Sequence, residues 1–222
     1  MKLSIAATLT ALASLAVPTT LAQCTPAQIA IVPTALAGMT ATQIVAAIDL
    51  ISNMSQNSNN ILSPLSTSTD AATVSSQSQT LVNNFNAIIN EFQVATTALE
   101  ATEPIDGEPG ADIVAALDNL VAVKQAFFAT VIGKHSIFAQ FQVTAPIAAV
   151  LRSLEAGIDS FAFTLINVVP EQAFRGTERL LGSISSDQSA LDTAVGNAVT
   201  VYSEVCVPSP LYPIVLPVCS SA

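Results

Sequence analysis

The chain offers few side chains that could do catalysis. His135 is its single histidine, and no Gly-x-Ser-x-Gly motif accompanies it, so a Ser-His-Asp or Cys-His arrangement would depend on this one residue. Glu155 and Asp159 lie one helical turn apart, and paired carboxyl groups can act as general acid and base. On an otherwise amphipathic helix, however, such a pair is typical of the solvated face. The sequence therefore predicts a protein that is not an enzyme, with no catalytic residue and no cofactor.

The cysteines indicate a modest disulfide framework and no metal site. Cys24, Cys206 and Cys219 allow three single pairings, each of which leaves one thiol over. A bond from Cys24 would tie the N-terminal region to the end of the chain. The local pair Cys206–Cys219, which closes a short Pro-rich segment, is favoured. With one histidine and no closely spaced cysteine pair, no zinc site is expected.

The first 22 residues have the pattern of a secretory signal peptide. Lys2 precedes an apolar run from Leu3 to Val17, Pro18 ends that run, and small residues lead to Ala22. About 15 apolar residues are too few for a spanning helix, which needs roughly 20. We expect a protein that is secreted, either extracellular or in a cell wall, with no integral membrane span.

The charge of the chain argues against polyanionic partners. The formal net charge is −10, and removal of the leader with Lys2 and no acidic residue makes it −11. Nucleic acids and anionic membrane surfaces both attract clustered Lys and Arg, which this chain lacks, so no nucleic-acid partner is expected. At the same time 51% of the residues are hydrophobic and only 10% are charged. This apolar excess must enter a core, a ligand site or a surface.

Apolar residues recur at helical spacing through most of the chain. The runs are Val74 to Leu99, Ile113 to Val131, Ile147 to Val168 and Leu181 to Tyr202, with a shorter run through Ile44, Ile48 and Ile51. Four prolines after Cys206 exclude a helix there. The sequence predicts an all-α fold, an elongated antiparallel bundle of four to six helices with an extended Pro-rich C-terminal tail. The predicted organisation is a leader at 1–22, an apolar N-terminal segment at 23–39, a helical bundle at 40–205 and the tail at 206–222.

A polar segment from Ser52 to Thr80 interrupts the apolar pattern. It contains no Lys, Arg or Glu, and Asn53 opens its N-glycosylation sequon. The segment is either a polar loop or frayed helix junction, or a glycosylated stretch of a secreted protein. Asn53 is the predicted glycosylation site.

The phenylalanines indicate an unusually wide apolar face. Phe127 and Phe128 point about 100° apart on a helix, so a single narrow contact seam cannot accommodate both. Such a face can pack against two neighbouring helices, which is the commoner case. It can also line a cavity between helices that holds an apolar ligand.

The middle of the chain resembles the fungal hydrophobic surface-binding protein A family, which includes the cell-wall galactomannoproteins. The similar elements are the runs Leu117-Asp118-Asn119-Leu120, Val131-Ile132-Gly133-Lys134-His135 and Ala149-Val150-Leu151-Arg152-Ser153-Leu154, with Phe127, Phe138, Phe161 and Leu165 at matching spacing. The resemblance implies a non-enzymatic, all-helical, secreted or wall-associated protein. In the galactomannoprotein branch it further implies a domain that holds a long-chain fatty acid.

Two functions follow from this resemblance. The first is binding of a long-chain fatty acid or similar lipid in an apolar cavity between helices. Its expected lining is Phe127, Val131, Phe138, Leu151, Leu154, Phe161 and Leu165. Lys124 lies on the same apolar stripe, where its amine would either contact the ligand or reach out to solvent. The alternative is a surface-active coat protein that adsorbs to hydrophobic surfaces and assists secreted esterases there.

Overall fold

A computed structural model describes residues 38–170 and 183–221 of the chain. Six helices lie in these two ranges: α1 (Ala41–Leu62), α2 (Ala71–Leu99), α3 (Gly107–Gly133), α4 (His135–Gln140), α5 (Thr144–Val168) and α6 (Ser183–Tyr202). The all-α prediction is confirmed, and each long apolar run coincides with a helix. The predicted leader, Cys24 and Leu181 lie outside the described residues, so the predictions for them stay predictions.

Local side-chain hydrogen bonds fix where the first two helices begin. At α1 the Thr40 hydroxyl accepts from the backbone N–H of Gln43, and the Gln43 side chain accepts from the backbone N–H of Thr40 at 2.8 Å. At α2 the Asp70 carboxylate accepts from the N–H of Thr73 at 2.9 Å. Hydrogen bonds from Thr73 lower the pKa of Asp70, because they favour its charged form.

The polar segment from Ser52 to Thr80 is mostly helical. Helix α1 continues to Leu62 and α2 starts at Ala71, so the prediction of a polar loop holds only for the short connection between them. The hydroxyls of Ser52, Ser55 and Ser58 donate to the carbonyl four residues earlier, at 3.0, 2.7 and 2.8 Å. These bonds let serines occupy a buried helix face without leaving polar groups unsatisfied.

The five long helices form a closed ring. Helix α1 packs against α2 and α3, α3 also packs against α6, α6 against α5, and α5 against α2. Each long helix therefore has two principal neighbours, and its apolar side chains meet those of the other four in one core. The apolar face of α3 is wide because this helix packs against two neighbours, α1 and α6. Phe127 and Phe128 are accordingly both buried.

The short helix α4 and the turn before it lie at the end of the ring where α1 also ends. The ammonium group of Lys134 donates to the carbonyls of Ser63 and Leu65, at 3.0 and 2.6 Å. A cation at the negative end of a helix stabilises that end. Lys134 therefore ties the end of α1 to the end of α3.

The segment from Gly107 to Gln140 is long and apolar enough, by composition alone, to cross a membrane. Its most apolar window is 50% buried inside the bundle, which is the pattern of a core helix. This is weak evidence for a span. The expectation of no integral membrane span stays a prediction.

The C-terminal region, predicted as an extended Pro-rich tail, forms a hairpin. Strand β1 (Val205–Val207) pairs antiparallel with β2 (Val218–Ser220), and Cys206 stands directly opposite Cys219. These two cysteines form a disulfide, which confirms the predicted local pair. The described part of this region contains no helix, as the prolines predict, and the chain turns back between the two strands.

Candidate ligand-binding site

The interior of the ring is where side chains from non-neighbouring helices meet. The backbones of α2 and α3 are not packed against each other, yet the rings of Phe85 on α2 and Phe127 on α3 lie 5.3 Å apart. Phe92 on α2 and Phe161 on the neighbouring α5 also lie 5.3 Å apart. The pair Phe85–Phe127 thus reaches across the interior of the ring, and the pair Phe92–Phe161 lies between two adjacent helices.

All seven residues predicted to line a lipid site belong to this core. They are Phe127, Val131, Phe138, Leu151, Leu154, Phe161 and Leu165, and none is more than 2% exposed. On α5 the stretch from Leu151 to Leu165 covers roughly 21 Å at 1.5 Å per residue. The structure therefore groups the predicted residues in one core that runs along the ring. Whether they contact a ligand stays a prediction.

Lys124 is the one lysine of the described residues that is completely buried. It is 0% exposed, so its amine does not reach out to solvent, which was one of the two predicted orientations. The Nζ atom lies 5.4 Å from the ring centre of Phe92 and 5.9 Å from that of Phe128. Since Phe92 belongs to α2, the amine points across the interior of the ring.

The amine of Lys124 has no hydrogen-bond partner among the described residues. Burial lowers its pKa from 10.5 to about 7, because removal from water penalises the charged form. Contacts with two aromatic faces stabilise a cation only in part. The interior therefore holds a polar group that an acidic ligand would satisfy.

A pocket of about 20 Å³ lies in the seam between α1 and α2. It is lined by Met39, Ala46, Ala47, Leu50, Glu91, Val94, Ala95 and Ala98. Partial burial raises the pKa of Glu91. Sites for drug-sized ligands measure roughly 300–1,000 Å³, so this pocket holds little more than a water molecule. None of its lining residues is among the seven predicted ones.

His135 lies at the start of α4 beside the hairpin. Its ring meets that of Tyr202 edge on at 4.9 Å, and its Nε2 atom is 3.8 Å from the Cys206 sulfur. Burial lowers the pKa of His135, while nearby Glu204 opposes that effect. The side chains of four residues that can bind metals lie together here, with their ligand atoms within 4.8 Å of one another: His135, Glu204, Cys206 and Cys219. The two sulfurs are bonded to each other, however, so neither is the thiolate that zinc binds.

Tyr202 makes a buried hydrogen bond that joins α6 to α3. Its hydroxyl donates to the carbonyl of Val131 at 2.7 Å, and burial raises its pKa. We expect Tyr202→Phe to lower the free energy of unfolding by about 1 kcal/mol, because a buried hydrogen bond is lost. Tyr212 is the matched control, since its hydroxyl has no partner among the described residues. Urea unfolding should show no loss for Tyr212→Phe, and equal losses for both variants would contradict this account.

Two pairs of acidic residues line the seams of α6, and sequence analysis missed both. Asp187 on α6 faces Asp118 on α3, and burial together with Asp118 raises the pKa of Asp187 to about 7. Asp192 faces Asp159 on α5, and burial with this neighbour raises its pKa to about 6. Each of these α6 carboxyl groups therefore retains its proton well above the usual range. Asp159 is exposed, as predicted for a solvated face, whereas Glu155 is half-buried, and both carboxyl groups lie near Asp192 of α6.

Asn53, the predicted glycosylation site, is exposed on α1. Ser55 of the same sequon is buried, and its hydroxyl donates to Ile51. The asparagine side chain is thus accessible in the folded protein. Its glycosylation stays a prediction.

Comparison with known proteins gives matches among solved structures. No family model matches the chain, and no curated protein matches it. Afmp4p in complex with palmitic acid superposes with a TM-score of 0.62 and 16% identity, covering 73% of this chain and 99% of that one. Ligand binding domain 1 of the Penicillium marneffei MP1 protein, complexed with arachidonic acids, superposes with a TM-score of 0.60 and 14% identity, covering 71% and 94%.

A third structure, ligand binding domain 2 of the same MP1 protein with arachidonic acids, has a TM-score of 0.59 and 12% identity, covering 73% of this chain and 91% of that one. Identities this low show a shared fold. They leave the resemblance to the hydrophobic surface-binding protein A family as a prediction from the sequence. The chain has the all-helical fold of the MP1 and Afmp4p ligand-binding domains.

Proposed function

We propose that this protein is a secreted, non-enzymatic carrier that binds one long-chain fatty acid inside its ring of helices. The observation that carries the proposal is the amine of Lys124, which is fully buried among aromatic side chains and has no hydrogen-bond partner among the described residues. A fatty acid has a carboxylate that can pair with this amine and an alkyl chain that is compatible with the apolar side chains around it.

The polar end of the ligand would pair with Lys124. A buried amine without a partner is costly, and a carboxylate in contact with it forms a charge-assisted hydrogen bond. Binding would therefore raise the pKa of Lys124 and draw a proton from solution near and above pH 7, since the amine of the free protein has a pKa of about 7. Esters and alcohols of the same chain length would lack this interaction.

The apolar end would lie among the seven predicted lining residues. Burial of each methylene contributes about 0.8 kcal/mol, so a long alkyl chain supplies a large driving force. The seven side chains already fill the core, with exposures of 2% or less. An entering chain must therefore replace contacts among them, and the helices of the ring must move apart to admit it.

Two further observations support the proposal. Two solved structures with the same fold are complexes, one with palmitic acid and one with arachidonic acids. The disulfide between Cys206 and Cys219 is typical of proteins that mature in an oxidising compartment, which agrees with secretion. Location in a cell wall and glycosylation at Asn53 are part of the same proposal.

Native mass spectrometry of the purified protein mixed with palmitate tests the proposal. We expect a saturable complex of one protein and one fatty acid. Hexadecanol, which has the same chain length and no carboxylate, should compete poorly. Binding without saturation, or equal binding of acid and alcohol, would contradict an internal site with Lys124 at its polar end.

A further inference from the structure

The C-terminal hairpin presents an unusual cluster of exposed apolar side chains. Ile214 at its tip is 89% exposed. The other members of this hairpin patch are Val205, Val207, Leu211, Val215, Leu216 and Val218, each at least 45% exposed. Single exposed apolar residues are common on soluble proteins, but seven on one hairpin mark an interaction surface.

The hairpin is also suited to an environment without water. Residues 205–222 contain no Lys, Arg, Asp or Glu, although the whole chain carries sixteen acidic residues. Prolines 208, 210, 213 and 217 have no N–H group to satisfy. Of the six N–H groups between Pro208 and Pro217, five have an acceptor within the protein, namely those of Ser209, Leu211, Tyr212, Ile214 and Val215. Few backbone donors would be left unsatisfied in an apolar phase.

The hairpin is held in a fixed position on the bundle. The Gln140 side chain accepts from the N–H of Ser209 at 2.9 Å and donates to its carbonyl at 3.1 Å. Tyr212 packs edge on against Phe141, with ring centres 5.9 Å apart. With the Cys206–Cys219 disulfide at its base, the hairpin keeps its apolar side chains outside the core, so little ordering is needed when a partner binds.

We propose that the hairpin patch docks the protein on an electrically neutral phospholipid surface, with the side chains around Ile214 inserted among the lipids. The uncharged hairpin complements neutral headgroups, whereas the formal charge of −10 opposes approach to an anionic surface. This contact requires no separation of the helices, because the hairpin patch is already exposed. It is independent of whether a fatty acid occupies the ring.

Flotation with phosphatidylcholine vesicles tests this inference on the full chain. We expect the wild-type protein to float with the vesicles and the double variant Leu211→Ser/Ile214→Ser to bind at least tenfold more weakly, because two side chains lose their transfer from water. The control is Phe163→Ser, which removes an apolar side chain that is 68% exposed on α5, outside the hairpin patch. It should bind like the wild type. Vesicles containing phosphatidylglycerol should bind the wild type less well.

Two outcomes would overturn the inference. One is equal vesicle binding by the wild type and the double variant. The other is a wild-type protein that does not bind vesicles but forms a dimer in sedimentation velocity, while the double variant is a monomer. The hairpin patch would then bind a second copy of the chain. Palmitate binding is measured in parallel. A protein that floats through its hairpin but binds no palmitate would leave this inference intact and contradict the proposed function.

Discussion

Replacing Lys124 with Met is expected to stabilise the folded protein and to weaken fatty-acid binding. Methionine has a similar length and no charge, so it fills the same interior space next to Phe92 and Phe128 without an unpaired polar group. A lysine pKa lowered from 10.5 to about 7 represents a penalty of about 4 kcal/mol at neutral pH. We expect the free energy of unfolding to rise by about that amount.

The pH dependence of this gain identifies its cause. Above pH 10.5 the amine is neutral in both the folded and the unfolded protein, so the penalty is absent. As the pH falls from 10.5 to about 7, only the unfolded protein gains the proton, and the penalty grows until it is complete below 7. Urea unfolding of the wild type should therefore show stability rising from pH 7 to 10, and Lys124→Met should remove that rise.

The ligand measurement uses calorimetry at pH 8 in two buffers with different enthalpies of ionisation. The wild type should take up protons when palmitate binds, and Lys124→Met should take up none and bind about 10- to 100-fold more weakly. Lys134→Met is the control, because Lys134 bonds to Ser63 and Leu65 at the end of the ring. Unchanged palmitate affinity in Lys124→Met would contradict the assignment of the headgroup.

The helices could be predicted from the sequence because their apolar faces follow one spacing. The runs through Val74 to Leu99 and Ile147 to Val168 coincide with α2 and α5 almost residue for residue. Helix α4 could not be found in this way, since six residues contain too few turns for a period to emerge. Its boundary with α3 depends on the turn at Lys134.

The order of the helices around the ring was not available from the sequence. Whether Lys124 reaches solvent depends on which helix stands opposite it, and α2 is brought there only by packing through α1 and α5. The same limit applies to Asp118 and Asp187, which are far apart in sequence and meet because α6 lies beside α3. Local spacing indicates the apolar face of each helix but not its neighbours.

The hairpin escaped prediction for a different reason. Its prolines excluded a helix, but its apolar residues do not alternate with polar ones as they do in a strand that covers a core. Both valines flanking Cys206 are exposed. The local disulfide was predicted, but nothing in the spacing of the apolar residues indicated two paired strands, so the sequence predicted an extended tail.

Replacing Asp187 with Asn is expected to stabilise the protein at neutral pH and to flatten its response to acid. The pKa of Asp187 is raised to about 7, whereas the usual value for an aspartate is 3.8. Below pH 3.8 both the folded and the unfolded protein are protonated, so the folded state is not penalised. As the pH rises toward 7, only the unfolded protein loses the proton, and the wild type should lose stability across this window.

Asparagine keeps the shape of the protonated acid and can donate a hydrogen bond to Asp118. We expect Asp187→Asn to gain about 2 kcal/mol over the wild type at pH 7.5 and almost nothing at pH 4, measured by urea unfolding. The control is Asp49→Asn, which removes the same charge from an exposed position on α1 and should change stability equally little at both pH values. A gain of the same size in both variants would show that net charge, rather than the seam between α3 and α6, sets the pH response. A gain confined to Asp187→Asn would mark that seam as one that loosens as the solution becomes neutral.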